Sequence, residues 1–218
     1  MCMAKISCPP QSGRVGDVVY VASSRFGQIV RKFVPPRNPR TPAQQRTRSN
    51  WSAVVSSWRG LEPAQRLAWC LAATDNRLRL NGYNYYIQVN ARRAHLDLSL
   101  FPVPPDPAPS VGPNPVAELA VTNNGGRVSL KVRVPSTPAQ YTLVQGAAPV
   151  SAGVRCVTHF PYLGLLPAPV NGWSDITELY VARYGAPLVG SVVFIRTCQQ
   201  VDGWADTPKV TSALVPAG

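Results

Sequence analysis

The sequence predicts an α+β protein of two domains, in which a basic β-hairpin and several helices precede an all-β sandwich. Hydrophobic residues recur with a helical period in the first part of the chain and with a period of two in the last part. Between Pro102 and Pro115, seven of fourteen residues are proline, which excludes helix and central strand from that piece. The expected division is therefore a first domain at 1–101, an extended linker at 102–115 and a second domain at 116–218.

Charge divides the chain at nearly the same place. Residues 1–100 hold 15 Lys or Arg against 4 acidic residues, a net charge of +11, whereas residues 101–218 hold 7 against 6. An excess of this size predicts that the first domain meets a polyanion or an acidic surface. No apolar run approaches the length that spans a bilayer, so we expect no membrane partner.

The first domain should open with a hairpin. The runs at 18–21 and 29–34 are rich in β-branched residues, and the piece between them, 23–27, has turn composition. Prolines at 35, 36 and 39 then end any strand pairing.

Three helices should follow the hairpin. The first has Thr41 as N-cap and Pro42 as its first helical residue, and it ends at Gly60. The second covers 62–74 and the third 83–96, each with apolar residues at helical spacing. The aromatic start of the third helix leaves a strand open as an alternative there.

The second domain alternates polar and apolar residues. Residues 127–134 do so without interruption, which predicts a half-buried antiparallel strand. The pieces 123–126 and 202–203 have hairpin-turn composition. About seven short strands in about a hundred residues are typical of a β-sandwich. The other strand candidates are 116–121, 141–144, 154–160, 178–183, 191–199 and 208–215.

Several pieces of the second domain follow a known pattern: GSVVFIR at 190–196, GW at 203–204, Pro208, SA at 212–213 and VAELAV at 116–121. They resemble the last two strands and the first strand of a fibronectin type III domain. Such domains usually carry a Trp on the second strand, where this chain has Leu130 and Val132. The resemblance implies an immunoglobulin-like, fibronectin type III-like sandwich that acts as an adhesive or structural spacer.

The first domain also carries a recurring pattern: GRVGDVV at 13–19, RFGQ at 25–28, NPRTPAQ at 38–44 with Arg48, and GYN at 82–84. It is similar to uncharacterised proteins encoded by bacteriophages and prophages. The resemblance implies a structural or virion-associated protein, made in the bacterial cytoplasm and carried in the virion.

Motifs of catalysis are missing from the sequence. It holds no G-x-S-x-G, no phosphate-binding loop and no H-E-x-x-H. Neither His95 nor His159 has a Ser or Cys in a nucleophile context. We therefore expect no enzyme activity and no cofactor. Cys2 and Cys8 with His95 match no zinc spacing, so we expect no metal site.

The candidate contact surface is basic and rich in Arg, whose guanidinium suits bidentate contacts with phosphate or carboxylate. Val30 and Phe33 should supply an apolar docking patch beside it. Tyr85 is the candidate for an exposed ring that stacks on a base, whereas the three Trp of the first domain should lie in its core. The basic candidates are Arg31, Lys32, Arg37, Arg40, Arg46, Arg48, Arg59 and Arg66.

These observations favour a non-enzymatic virion protein. Its basic module would dock onto an assembly made of further copies of itself and of other virion proteins, and the sandwich would project from it. The alternative is a DNA- or RNA-binding protein whose Arg-rich module grips phosphates and whose sandwich mediates self-association.

Overall fold

The computed structural model describes residues 12–23, 27–35, 38, 40–75, 79–138, 141–149, 153–154 and 156–218. The described residues form helices and antiparallel sheets, which confirms the predicted α+β class. Contacts group the chain into two compact units: unit 1 is residues 1–45 and unit 2 is residues 46–218.

In chain order the elements are β1 (Gly13–Val15), β2 (Val18–Ser23), β3 (Gly27–Lys32), α1 (Pro42–Gly60), α2 (Pro63–Asp75), α3 (Gly82–His95), β4 (Leu119–Asn124), β5 (Arg127–Arg133), β6 (Tyr141–Ala147), β7 (Tyr162–Leu165), β8 (Trp173–Asp175), α4 (Thr177–Tyr184), β9 (Val192–Val201), β10 (Trp204–Ala205) and β11 (Lys209–Leu214).

Unit 1 contains the predicted hairpin. Strands β2 and β3 pair from Val18 opposite Lys32 to Ser23 opposite Gly27. The short strand β1, which the sequence analysis missed, pairs with the other side of β2 and completes a sheet in the order β1-β2-β3. At three residues, β1 is too short for alternation to be recognised.

The three predicted helices are confirmed. The Thr41 hydroxyl accepts a hydrogen bond from the Gln44 amide at 3.4 Å, as expected for an N-cap. The third element is helical from its start, because Asn81 caps it by accepting from the Asn84 amide at 2.7 Å. None of the described helices is both long and apolar enough to cross a membrane.

The helices enclose an aromatic cluster. Trp69 and Tyr86 are fully buried, and their ring centroids lie 5.3 Å apart with near-perpendicular planes. Trp58 lies 5.1 Å from Tyr86 in the same cluster. Edge-to-face pairs of this kind stabilise a core beyond the burial of their area.

Two antiparallel sheets occupy the end of the chain. One has the order β4-β5-β8, and the other has the order β10-β9-β6-β7 with β11 also paired to β9. Alternate residues of both sheets, such as Leu130 and Val132 in one and Val193 and Ile195 in the other, belong to a single buried cluster. Helix α4 contributes Tyr180 to it.

Two predicted strands of this region are wrong. Residues 178–183 lie in α4, where Ile176, Tyr180 and Tyr184 recur every four residues and the two tyrosine rings lie 5.0 Å apart. The described part of 154–160 forms no strand. The short strands β7 and β8 were missed, since three or four residues carry too little periodicity.

Residues 102–115, all described, hold no helix or strand, as their prolines predict. The segment nevertheless makes specific contacts. The Trp69 indole donates to the Pro102 carbonyl at 3.0 Å, and the Gln199 side-chain amide donates to the Pro113 carbonyl at 2.8 Å. Compact unit 2 contains helices, residues 102–115 and the two sheets at the end of the chain. The domain boundaries at 101 and 116 remain predictions.

The tip of the β9–β10 hairpin contacts helix α3. Its two-residue turn, predicted at 202–203, brings Trp204 opposite Val201. The Trp204 indole donates to the Tyr85 hydroxyl at 3.0 Å, and the Arg93 guanidinium pairs with the Asp202 carboxylate at 2.9 Å. Trp204 thereby packs against the aromatic cluster of the helices.

Candidate functional site

Among the described residues, the sheet of unit 1 has no fully buried side chain. Every residue of 12–45 whose burial the structure describes is exposed or half-exposed. The exposed ones include Val15 (67%) and Val30 (47%), with Ile29 and Val21 close to 40%. A small sheet that exposes apolar side chains in this way gains stability when another surface covers it.

The two residues predicted to form the docking patch lie on opposite faces of this sheet. Val30 is directly opposite Tyr20, so both point to one face. Phe33 lies beneath the Arg14 guanidinium, 3.6 Å from Cζ to the ring centroid, and Arg14 is paired opposite Val19 on the other face. Docking through Val30 and docking through Phe33 therefore use different faces.

The basic candidates divide between the two units. In unit 1, Arg31, Lys32 and Arg40 are exposed, while Arg37 lies outside the described residues. In unit 2, Arg46, Arg48 and Arg59 are exposed and Arg66 is half-buried. Arg66 has a structural task, because its guanidinium donates to the Arg59 carbonyl at 2.7 Å near the end of α1.

Helix α1 presents a basic face that also carries an aromatic ring. Arg48, Trp51 and Arg59 recur at helical spacing, and α1 contains no Asp or Glu. Trp51 is 54% exposed, against the prediction that all three Trp of this region lie in the core. The residues one helical turn before Trp51, Thr47 and Arg48, are polar. Their polarity indicates that the apolar side of α1 begins at Val54 and not at Trp51.

Tyr85, predicted to be the exposed ring, is buried. It is 4% exposed, its ring lies 5.4 Å from that of Trp69, and its hydroxyl accepts the Trp204 indole hydrogen bond. The prediction failed because Trp204, more than a hundred residues away, covers the side of α3 that local spacing suggested was open.

Arg46 takes part in a small charged group at the end of α3. Its guanidinium pairs with the Asp97 carboxylate, and both side chains are more than 60% exposed, so the pair contributes little to stability. The pKa of His95 is lowered by partial burial and by the Arg46 charge, although Asp97 opposes this. The His95 ring stacks edge-on against Tyr162, with 4.7 Å between centroids.

We expect protonation of His95 to reduce stability at low pH. Its pKa is lower in the folded than in the unfolded chain, so the unfolded state takes up the proton first, and stability falls as pH drops through the ordinary His value of 6.5 and below it. Thermal melts of His95→Gln should show a shallower loss over this range than the wild type. An equal pH dependence of the melting temperature in His95→Gln and the wild type would contradict this expectation.

Asp175, Asp206 and Cys198 have structural partners. Asp175 accepts from the Thr177 amide at 2.9 Å and Asp206 from the Gln199 amide at 2.8 Å, as expected for turn residues. Burial and the neighbouring Asp206 raise the pKa of Cys198 to about 11, which keeps it a thiol at neutral pH. Among the described residues no group of His, Cys, Asp or Glu is placed to hold a metal ion, and Cys2 and Cys8 lie outside them.

Comparison of the chain with protein-family models, with curated proteins and with solved structures found no match.

Proposed function

We propose that the protein is a non-enzymatic structural component of a bacteriophage virion, and that unit 1 docks onto neighbouring subunits of the assembly. The observation that carries this proposal is the exposure of apolar side chains in the described part of unit 1, where Val15 and Val30 stay exposed on a sheet of three short strands. A sheet this small is marginal alone and requires a partner surface. Lys32 shares the face of Val30 and Arg31 points to the other face, and both are exposed to acidic surfaces of other virion proteins.

Further copies of this chain are the partner we favour. Strand β3 forms one edge of the unit 1 sheet and is six residues long. The outer edge of β3 can pair with the same edge of another copy and extend the sheet, and the apolar face of one extended sheet can then pack against that of another. Other virion proteins would contact the assembled form.

The sheets of unit 2 would form the projecting part, for which we propose an immunoglobulin-like sandwich of the fibronectin type III kind. The first, second and fifth strands of this region (β4, β5 and β8) share one sheet. The third, fourth, sixth, seventh and last strands (β6, β7, β9, β10 and β11) share the other. This partition supports the proposal, because the immunoglobulin fold separates its strands in the same manner. Helix α4, between β8 and β9, is an addition to that pattern.

Substitution of Val30 is expected to weaken assembly. Val30→Lys places a charge in the covered face, where burial without a partner costs several kcal/mol, so the average mass of the full-length protein should fall toward that of a monomer. Sedimentation velocity at micromolar concentration measures this. Val210→Lys is the matched control, because Val210 is a strand valine of similar exposure in unit 2.

Two outcomes would contradict the proposal. One is a wild-type protein that stays monomeric at all concentrations tested. The other is an equal loss of mass in Val30→Lys and Val210→Lys, which would point to a general effect of added positive charge on association instead of a docking face.

A second candidate function, nucleic-acid binding, is favoured by the acid-free helix α1 with exposed Arg48, Trp51 and Arg59 on one face. Two phosphate contacts and one stacked ring fit this face. We then expect the affinity of the full-length protein for a short single-stranded DNA to fall about seven-fold when salt rises from about 50 to about 200 mM.

Fluorescence anisotropy at several salt concentrations tests this function. Arg48→Gln should lower the slope of log affinity against log salt by about 1, whereas Arg133→Gln, an exposed arginine of β5, should leave it unchanged. A flat salt response of the wild-type protein would exclude the nucleic-acid function and leave the assembly proposal unaffected.

A further inference from the structure

We propose that the outer face of the β4-β5-β8 sheet binds a neutral oligosaccharide. The side chains that would contact it are Thr122, Ser129, Lys131, Asn171, Trp173 and Asp175. This site is independent of the docking function of unit 1, and neither proposal requires the other.

Strand register brings these groups together. Thr122 is opposite Ser129, and Lys131 is opposite Asp175, while the inward residues between them, Leu130 and Val132, are fully buried. The polar set therefore lies on the face that points away from the core. Trp173, two residues before Asp175 on β8, shares that face.

The face is concave because small side chains and a loop shape it. Ala120 and Ser129 leave space above the sheet, and the loop at 167–171 forms a wall beside it. The resulting cavity measures about 580 Å³. A second cavity of about 650 Å³ adjoins it, with Ser129, Pro167 and Asp175 common to both. The two adjoining cavities together form a trough.

The lining chemistry suits sugar rings. The Trp173 indole offers a flat apolar surface with a single N–H donor, and pyranose rings present C–H groups that pack on such a surface. Hydroxyl, amide, ammonium and carboxylate groups offer both donors and acceptors, which sugar hydroxyls require. Fatty ligands would leave these polar groups without partners.

Charge favours a neutral ligand. In the trough, Lys131 and Arg127 are balanced by Asp175 and Glu178, although the whole chain carries a net charge of +12. The carboxylates would repel a polyanion at this place, whereas they accept hydrogen bonds from neutral hydroxyls. The trough is thus chemically different from the Arg-rich face of α1.

A glycan microarray probed with the full-length protein tests the proposal. Neutral oligosaccharides of hexoses and N-acetylhexosamines should bind, and titration calorimetry with the best of them should show affinity at least about ten-fold weaker for Trp173→Ala. Trp173→Tyr, which keeps a ring, should retain most of the affinity. Trp51→Ala is the control for loss of an indole, because Trp51 lies on helix α1 and lines neither cavity, and it should bind like the wild type.

Lys131→Met provides a second variant if Trp173→Ala alters the fold, since it keeps the aliphatic stem on β5 and removes only the ammonium group. It should also weaken binding. The proposal is overturned if no neutral glycan binds, if only sulfated or sialylated glycans bind, or if folded Trp173→Ala and Lys131→Met bind as the wild type does.

Discussion

Gly203→Ala should destabilise unit 2 by about 3–5 kcal/mol, close to the largest loss that single substitutions cause. The reason is a close approach of the hairpin tip to helix α3. A Cβ at position 203 would lie 2.6 Å from the Val89 carbonyl oxygen and 3.0 Å from Val89 Cγ1. Gly203 also has φ of +95°, which disfavours any L side chain. Urea unfolding followed by far-UV circular dichroism measures the loss.

Gly126→Ala separates the two causes. Gly126 has φ of +90° in the β4–β5 turn, but a Cβ there would meet nothing within 4 Å. This variant should lose only the backbone term, about 1–2 kcal/mol. Equal losses at the two positions would show that the hairpin tip does not press on α3 in solution.

Arg93→Ala should cost about 3 kcal/mol, since it breaks a largely buried ion pair. Arg93 is 5% exposed, and its guanidinium donates to the Ser99 carbonyl at 2.6 Å as well as to Asp202. The same group lies 3.6 Å from the centroid of the Phe101 ring. We place the loss at the lower end of the usual range because Asp202 is 41% exposed and water can solvate it. Thermal and urea unfolding of the full-length chain give the value.

Two variants control this prediction. Arg133→Ala removes the exposed pair with Glu118, in which both side chains are 55% exposed, and should cost at most about 1 kcal/mol. Arg93→Lys keeps the charge but cannot reach Ser99 and Asp202 together as the guanidinium does, so its loss should be intermediate. If Arg93→Ala is no worse than Arg133→Ala, the contact between α3 and the hairpin tip contributes little to stability.

Elements with strong local signals were predicted well. Helix α1 begins where Thr41 and Pro42 indicate, and strand β5 follows the uninterrupted alternation of its residues. The turn at 125–126 has both glycines at positive φ, as the sequence indicates. Helix α4 was predicted as a strand, because its aromatic and β-branched residues favour strands in isolation while packing of Tyr180 against the sheets favours a helix.

For the candidate site, the sequence predicted which residue types take part but not how their side chains are exposed. The positions of the basic residues are visible in the sequence, but their exposure is not. Burial of Tyr85 and exposure of Trp51 reverse the expected roles of the two rings. Both residues lie on helices at spacings compatible with either fate, so local periodicity could not distinguish them.

The longer helices and strands could be located from the order of residues alone, since each depends on neighbours within a few positions, and the excess of arginine in the first hundred residues is visible there too. Which surfaces those elements cover depended on packing between distant parts of the chain. Arg93 and Asp202 are 109 residues apart in the chain, and Tyr85 and Trp204 are 119 apart. Contacts over such separations depend on how whole sheets and helices pack, and they leave no pattern in the sequence around either residue.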